Sequence, residues 1–96
     1  MEILQLPRRG GKTTYMIERS ARTGEVIVCF DSNEAERVLD YAKHMKLVIP
    51  KPVTFANMMS FIKLGMNPAG YIIDNLDIII TRLTGVKFNL ATISID

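Results

Sequence analysis

Apolar residues along the chain fall into short blocks whose spacing changes from one block to the next. The segment EILQL at 2–6 is brief and apolar and predicts a strand. After a glycine-rich stretch, KTTYMIERSAR at 12–22 predicts a helix closed by Gly24. EVIVCF at 25–30 is β-branched without polar alternation, the pattern of a strand buried on both faces. Asp31 in DSNE can cap the next helix, with Glu34 reaching back to complete a capping box. Ala35, Val38, Leu39, Ala42 and Met45 then recur at helical spacing. Two prolines in IPKPVTF, residues 49–55, forbid a helix and suit a turn into a short strand. ANMMSFIKL at 56–64 predicts a helix ended by Gly65, with Met58, Met59 and Ile62 on one side. NPAG is a turn, and YIIDN at 71–75 is a strand arriving at an acid. LDIIITRLTG carries Leu76, Ile79, Ile80 and Leu83 at helical spacing before Gly85. A strand through its β-branched DIII is the competing reading. KFNLATISI at 87–95 predicts a last strand ending near Thr92 and Ser94.

Strand alternating with helix predicts a three-layer α/β/α domain around a mainly parallel sheet of five strands. With 96 residues, 1–96 is expected to form one domain. In parallel sheets ligands bind at the carboxyl ends of strands. Gly10 to Thr14, Asp74 and Thr92 all fall at predicted strand ends, so they are expected to converge on one edge.

Composition narrows the chemistry. Apolar residues make up 48% of the chain, enough for a packed core and against disorder. No apolar run approaches the roughly 20 residues a bilayer requires, and EILQLP lacks the pattern of a signal peptide. A soluble, cytoplasmic protein without a membrane partner is therefore expected. Cys29 alone cannot form an internal disulfide, and its setting in EVIVCF favours strand packing over nucleophilic work. His44, among the charges of YAKHMK, reads as a solvated helix residue. The net charge is only +2, yet Arg37, Lys43, Lys46, Lys51 and Lys63 fall where acids are few. Such a run is either a solvated face or a surface for a polyanion such as DNA.

The stretch LPRRGGKTT at 6–14 carries the strongest chemical signal. Unpaired amides at a helix start, aligned with its dipole, point at an anion. Gly10 and Gly11 let the main chain approach phosphate closely. Lys12 can reach the terminal phosphates, the Thr13 hydroxyl can ligate Mg²⁺, and Thr14 can add a hydroxyl bond. Asp74, at the tip of a later apolar strand, is placed to orient the waters of a hydrated Mg²⁺.

The ordered set LPRRGGKTT, YIID and ATIS resembles the phosphate-loop NTPases. Within them it is similar to the additional-strand branch, which includes helicases, AAA-type ATPases and viral DNA-packaging terminases. Loops of terminases and related helicases often lack the first glycine and carry arginine, the pattern at Leu6, Arg8 and Arg9. The resemblance spans nearly the whole chain on about a dozen positions. It implies a P-loop NTPase-like core, with Lys12 and Thr13 (Walker A) on phosphate and magnesium and Asp74 as the Walker B aspartate. It also implies that Thr92 or Ser94 is the sensor and that Arg8 or Arg9 acts on the γ-phosphate, against the alternative that both arginines face solvent.

One departure bears on catalysis. The branch usually has a glutamate after the Walker B aspartate, and here Asn75 stands in that place. An amide cannot accept a proton, so general-base help worth about 10²- to 10⁴-fold is lost. Asp77 either substitutes or is simply a helix-start acid favoured by the dipole. The expectation is an ATP- and Mg²⁺-binding protein with weak or partner-stimulated ATPase activity on or near DNA. It would work through a homo-oligomer or a larger protein partner, and in this small a chain the resemblance suggests a phage or mobile-element origin. An arginine such as Arg22 or Arg82 could complete a neighbour's site. The alternative is a catalytically inactive module that binds a protein partner. A small-molecule kinase is weaker, since the chain has no spare segment for a lid.

Overall fold

The computed structural model describes residues 11–66 and 68–85. Helix α1 (Lys12–Thr23) leads into strand β1 (Val26–Cys29), helix α2 (Ser32–His44) and strand β2 (Val53–Thr54). Helix α3 (Phe55–Lys63), strand β3 (Tyr71–Ile73) and helix α4 (Leu76–Thr84) follow.

Local chemistry sets the element ends. Gly24, at φ 79°, closes α1 by turning its amide back to the Ser20 carbonyl, a left-handed cap that glycine adopts without a side-chain clash. The buried Ser20 hydroxyl donates to the Glu25 carbonyl at 2.6 Å. The Glu25 carboxylate accepts from Arg19 Nε at 2.8 Å and from the Thr23 hydroxyl at 2.9 Å. The Arg19 bond, then the Thr23 bond, hold that carboxyl below its usual range. Asp31 caps α2 as its sequence indicates, accepting from the Glu34 amide at 2.8 Å. The Glu34 carboxylate turns instead to Arg37, so only the Asp31 half of the expected box is seen to form. Thr54 caps α3 in the same manner, and Gly85 closes α4 where expected.

The sheet is parallel, with strand order β2-β1-β3. Val28 pairs with Val53 on one side and with Ile73 on the other, which makes β1 the central strand. Alternate β1 side chains enter two cores. Ile27 and Cys29 pack with Met16 and Ile17 of α1 and Ala35, Val38 and Ala42 of α2. Val28 packs with Val53, Met58 of α3 and Ile79 of α4. This is the burial on both faces that the unbroken apolar run predicts.

The five-stranded, three-layer P-loop NTPase-like core expected from the sequence is corrected. The described residues form a small α/β unit with a three-stranded parallel sheet and four helices, and a 96-residue chain is too small for a five-stranded core of that kind. The strands expected at 2–6 and 87–95 lie outside the described residues. Met58, Met59 and Ile62 do not share one buried face either: Met58 is in the core, whereas Met59 and Ile62 are exposed. In the DIII segment the helical reading holds, with Ile79 as its buried anchor.

Candidate functional site at the carboxyl edge of the sheet

The strand order reverses direction around β1. The chain leaves β1 through α2 on one face of the sheet and leaves β3 through α4 on the other. Between two such strands the connections diverge and leave a crevice at their carboxyl ends. Asp74 and Asn75 follow β3 directly into this crevice, and Lys12 begins α1 beside it.

Asp74 is fixed by its backbone, because its amide donates to the Val28 carbonyl at 2.9 Å. Its side chain is only 2% exposed, and Oδ1 lies 3.0 Å from Lys12 Nζ. That oxygen accepts no hydrogen bond of good geometry, so the contact is an ion pair whose carboxylate keeps acceptor capacity. The Lys12 ammonium donates instead to Asn75 Oδ1. Asn75 has a left-handed backbone, φ 53° and ψ 55°, a conformation that asparagine tolerates better than most residues. Its carbonyl accepts the Ile78 and Ile79 amides that open α4, while its side chain makes no capping bond.

Gly11 opens α1 at φ 78°, and its carbonyl takes the Tyr15 amide at 3.0 Å. Gly11 has no side chain with which to cap this first turn, and a helix start left so has leading amides with donor capacity. Thr13 and Thr14 are half-buried in the turn, and Thr14 Oγ1 lies 3.3 Å from the Tyr41 hydroxyl of α2. Arg8, Arg9, Gly10, Thr92 and Ser94 lie outside the described residues. Asp77 is exposed in the first turn of α4, where the helix dipole favours an acid. Arg22 is exposed at the far end of α1.

Two contacts at this edge have no counterpart in the sequence reading. The Arg82 guanidinium lies 4.8 Å over the Phe30 ring and 3.6 Å from Asp31 Oδ2, so it serves the tip of its own β1. The Lys12 to Asn75 bond joins positions 63 apart, which no local pattern reports. Cys29 behaves as expected of strand packing: it is fully buried, and burial, with a smaller push from the Asp74 charge, raises its thiol to about 12.

Among the described residues no group of three or more His, Cys, Asp or Glu side chains could hold a metal ion. Asp74 Oδ1 is a buried carboxylate oxygen beside the threonine-bearing start of α1, and its present neighbour is the Lys12 ammonium at 3.0 Å, which would have to move for that oxygen to take Mg²⁺. That ion is usually held by one or two protein oxygens together with phosphate and water. Among the described residues no helix is long and apolar enough to cross a membrane. No family model, curated protein or solved structure matches the chain.

Proposed function

We propose that this protein binds ATP with Mg²⁺ at the start of α1 and hydrolyses it slowly, or on stimulation by a partner, on or near DNA. The observation that carries the reading is the meeting of Lys12 with Asp74 and Asn75 at one end of the sheet. On this reading the amides of the first turn and the Lys12 ammonium hold the β- and γ-phosphates. The Thr13 hydroxyl and the Asp74 carboxylate would hold Mg²⁺, which supplies charge neutralisation on the phosphate oxygens. Arg8 or Arg9 would stabilise charge on the γ-phosphate, and Thr92 would sense it. In sequence this glycine- and arginine-bearing stretch resembles the phosphate-binding loops of terminases and helicases.

The amide of Asn75 supports slow turnover, since it cannot take a proton from the attacking water. That same residue favours the second reading, a catalytically inactive module that binds a protein partner. Lys43, Lys46, Lys51 and Lys63 are exposed and suit a DNA backbone, whereas Arg37 is engaged with Glu34. A cytoplasmic setting in a phage-infected cell is part of the proposal, as is assembly with copies of the chain or with a larger partner.

The test is phosphate release from Mg-ATP by the wild-type protein and by Lys12→Ala, each with and without DNA. Release that disappears in Lys12→Ala is the expected result, with stimulation by DNA that declines steeply as salt is added. Release no higher than that of Lys12→Ala under every condition overturns the ATPase and leaves the binding module.

A further inference from the structure

Asn75 combines three properties that the loss of a catalytic glutamate does not explain. It sits in a left-handed backbone at a helix start, its side chain is not used to cap that helix, and its amide oxygen takes the Lys12 ammonium. An asparagine before a helix ordinarily uses its side-chain oxygen on the second or third amide of the helix. Here the left-handed turn directs that oxygen across the crevice to α1. Asp74 Oδ1, 3.0 Å from the same ammonium, attracts it without a hydrogen bond of good geometry. The directional bond that fixes Lys12 in the free protein therefore comes from Asn75.

We infer that Asn75 is a latch on Lys12, a positioning residue that competes with phosphate for the same ammonium and so sets the affinity for nucleotide. The inference rests on the nucleotide-binding reading above. An incoming triphosphate must take Lys12 from Asn75, and the exchange weakens binding by what the latch contributes. For one hydrogen bond to a charged, partly exposed group the effect is about fivefold in the dissociation constant. A glutamate at this position would hold Lys12 through a full charge. The amide makes a weaker restraint that phosphate can displace, at the loss of a base for hydrolysis.

Calorimetric titration with Mg-AMP-PNP, a slowly hydrolysed analogue, tests the latch on wild type, Asn75→Gly, Asn75→Asp and Lys12→Ala. Glycine keeps the left-handed backbone while removing the latch, so Asn75→Gly should bind about fivefold tighter. Asn75→Asp, with a charge on the latch, should bind more weakly than wild type. A purely structural role predicts no gain for Asn75→Gly. In the free wild-type protein, reductive methylation of Lys12 should be slower than that of the exposed Lys43 and Lys46, and Asn75→Gly should narrow the difference, the ion pair with Asp74 keeping part of it. Equal or weaker binding by Asn75→Gly, with binding lost in Lys12→Ala, overturns the latch and leaves the nucleotide reading standing. Failure of both wild type and Asn75→Gly to bind overturns the two together, and binding by Asn75→Gly alone supports both. Methylation of wild-type Lys12 as fast as Lys43 overturns the latch whatever the variants do.

Discussion

Replacing Lys12 by Met removes the ammonium from a carboxylate that is 2% exposed, while the lysine side chain itself is 26% exposed. At 3.0 Å the gross attraction is about 5 kcal/mol at an effective dielectric of about 20, and about 1.4 kcal/mol in bulk water. Most of the larger figure is offset by the cost of taking the Asp74 charge out of water. Breaking a buried pair by removing one partner costs about 3–5 kcal/mol, whereas exposed pairs contribute about 0–1 kcal/mol. Lys12 lies between these limits. Its removal also relieves a cation at a helix N-terminus, which returns about 0.3–0.5 kcal/mol. The expected loss is therefore about 2 kcal/mol for Lys12→Met, read by urea unfolding followed by circular dichroism. In a double-mutant cycle with Asp74→Asn, at least about 1 kcal/mol of that loss should be coupling between the two residues. A loss below about 0.5 kcal/mol, or additivity in the cycle, would show that the pair contributes nothing to the fold and would refute this reasoning.

Two further outcomes follow from single residues. The Cys29 thiol, raised from 9.0 to about 12 mainly by burial, favours folding while it stays neutral. That contribution is complete below pH 9 and is lost as pH rises toward 12, so wild-type urea midpoints should fall more steeply than those of Cys29→Ala between about pH 8 and 10, about one unit either side of the ordinary thiol value of 9.0. Gly24→Ala, which forces a side chain into φ 79° at the end of α1, should lower stability by about 1 kcal/mol and appear as a reduced melting temperature.

How much of this was legible in the sequence depends on how local the cause is. The α2 helix was readable because Asp31, Ala35, Val38 and Ala42 act within a few residues of one another, and the capping bond and buried positions follow from that spacing. Strand β1 was readable for the same reason, since a run of apolar residues with no polar alternation needs cover on both sides. The size of the sheet was not. An apolar block reports that a segment wants burial, whereas membership of a sheet depends on pairing with strands far away in sequence, and among the described residues three strands pair where five were expected. The exposure of Met59 and Ile62 has a similar origin, because helical periodicity names a face without naming what packs on it.

The site divides along the same line. Gly11, Lys12 and Asp74 could be nominated because glycine, lysine and an acid at a strand tip each have a local rationale. The use Lys12 makes of Asn75 could not, because it depends on the backbone of Asn75 adopting φ 53° and aiming its amide across the crevice. Sequence reasoning treated Asn75 as an omission at a catalytic position. The contact gives it a positive part.

The central position of β1 bears on the order in which the molecule assembles. Its partner β2 lies about 25 residues downstream and β3 about 45, so the second pairing closes the larger loop and carries the greater entropic cost. On a growing chain, α1, β1, α2 and β2 are all synthesised before Tyr71. The crevice that holds Lys12 takes shape only when β3 docks beside β1 and brings Asp74 and Asn75 with it. A chain in which β3 has not docked therefore lacks both partners that hold the Lys12 ammonium.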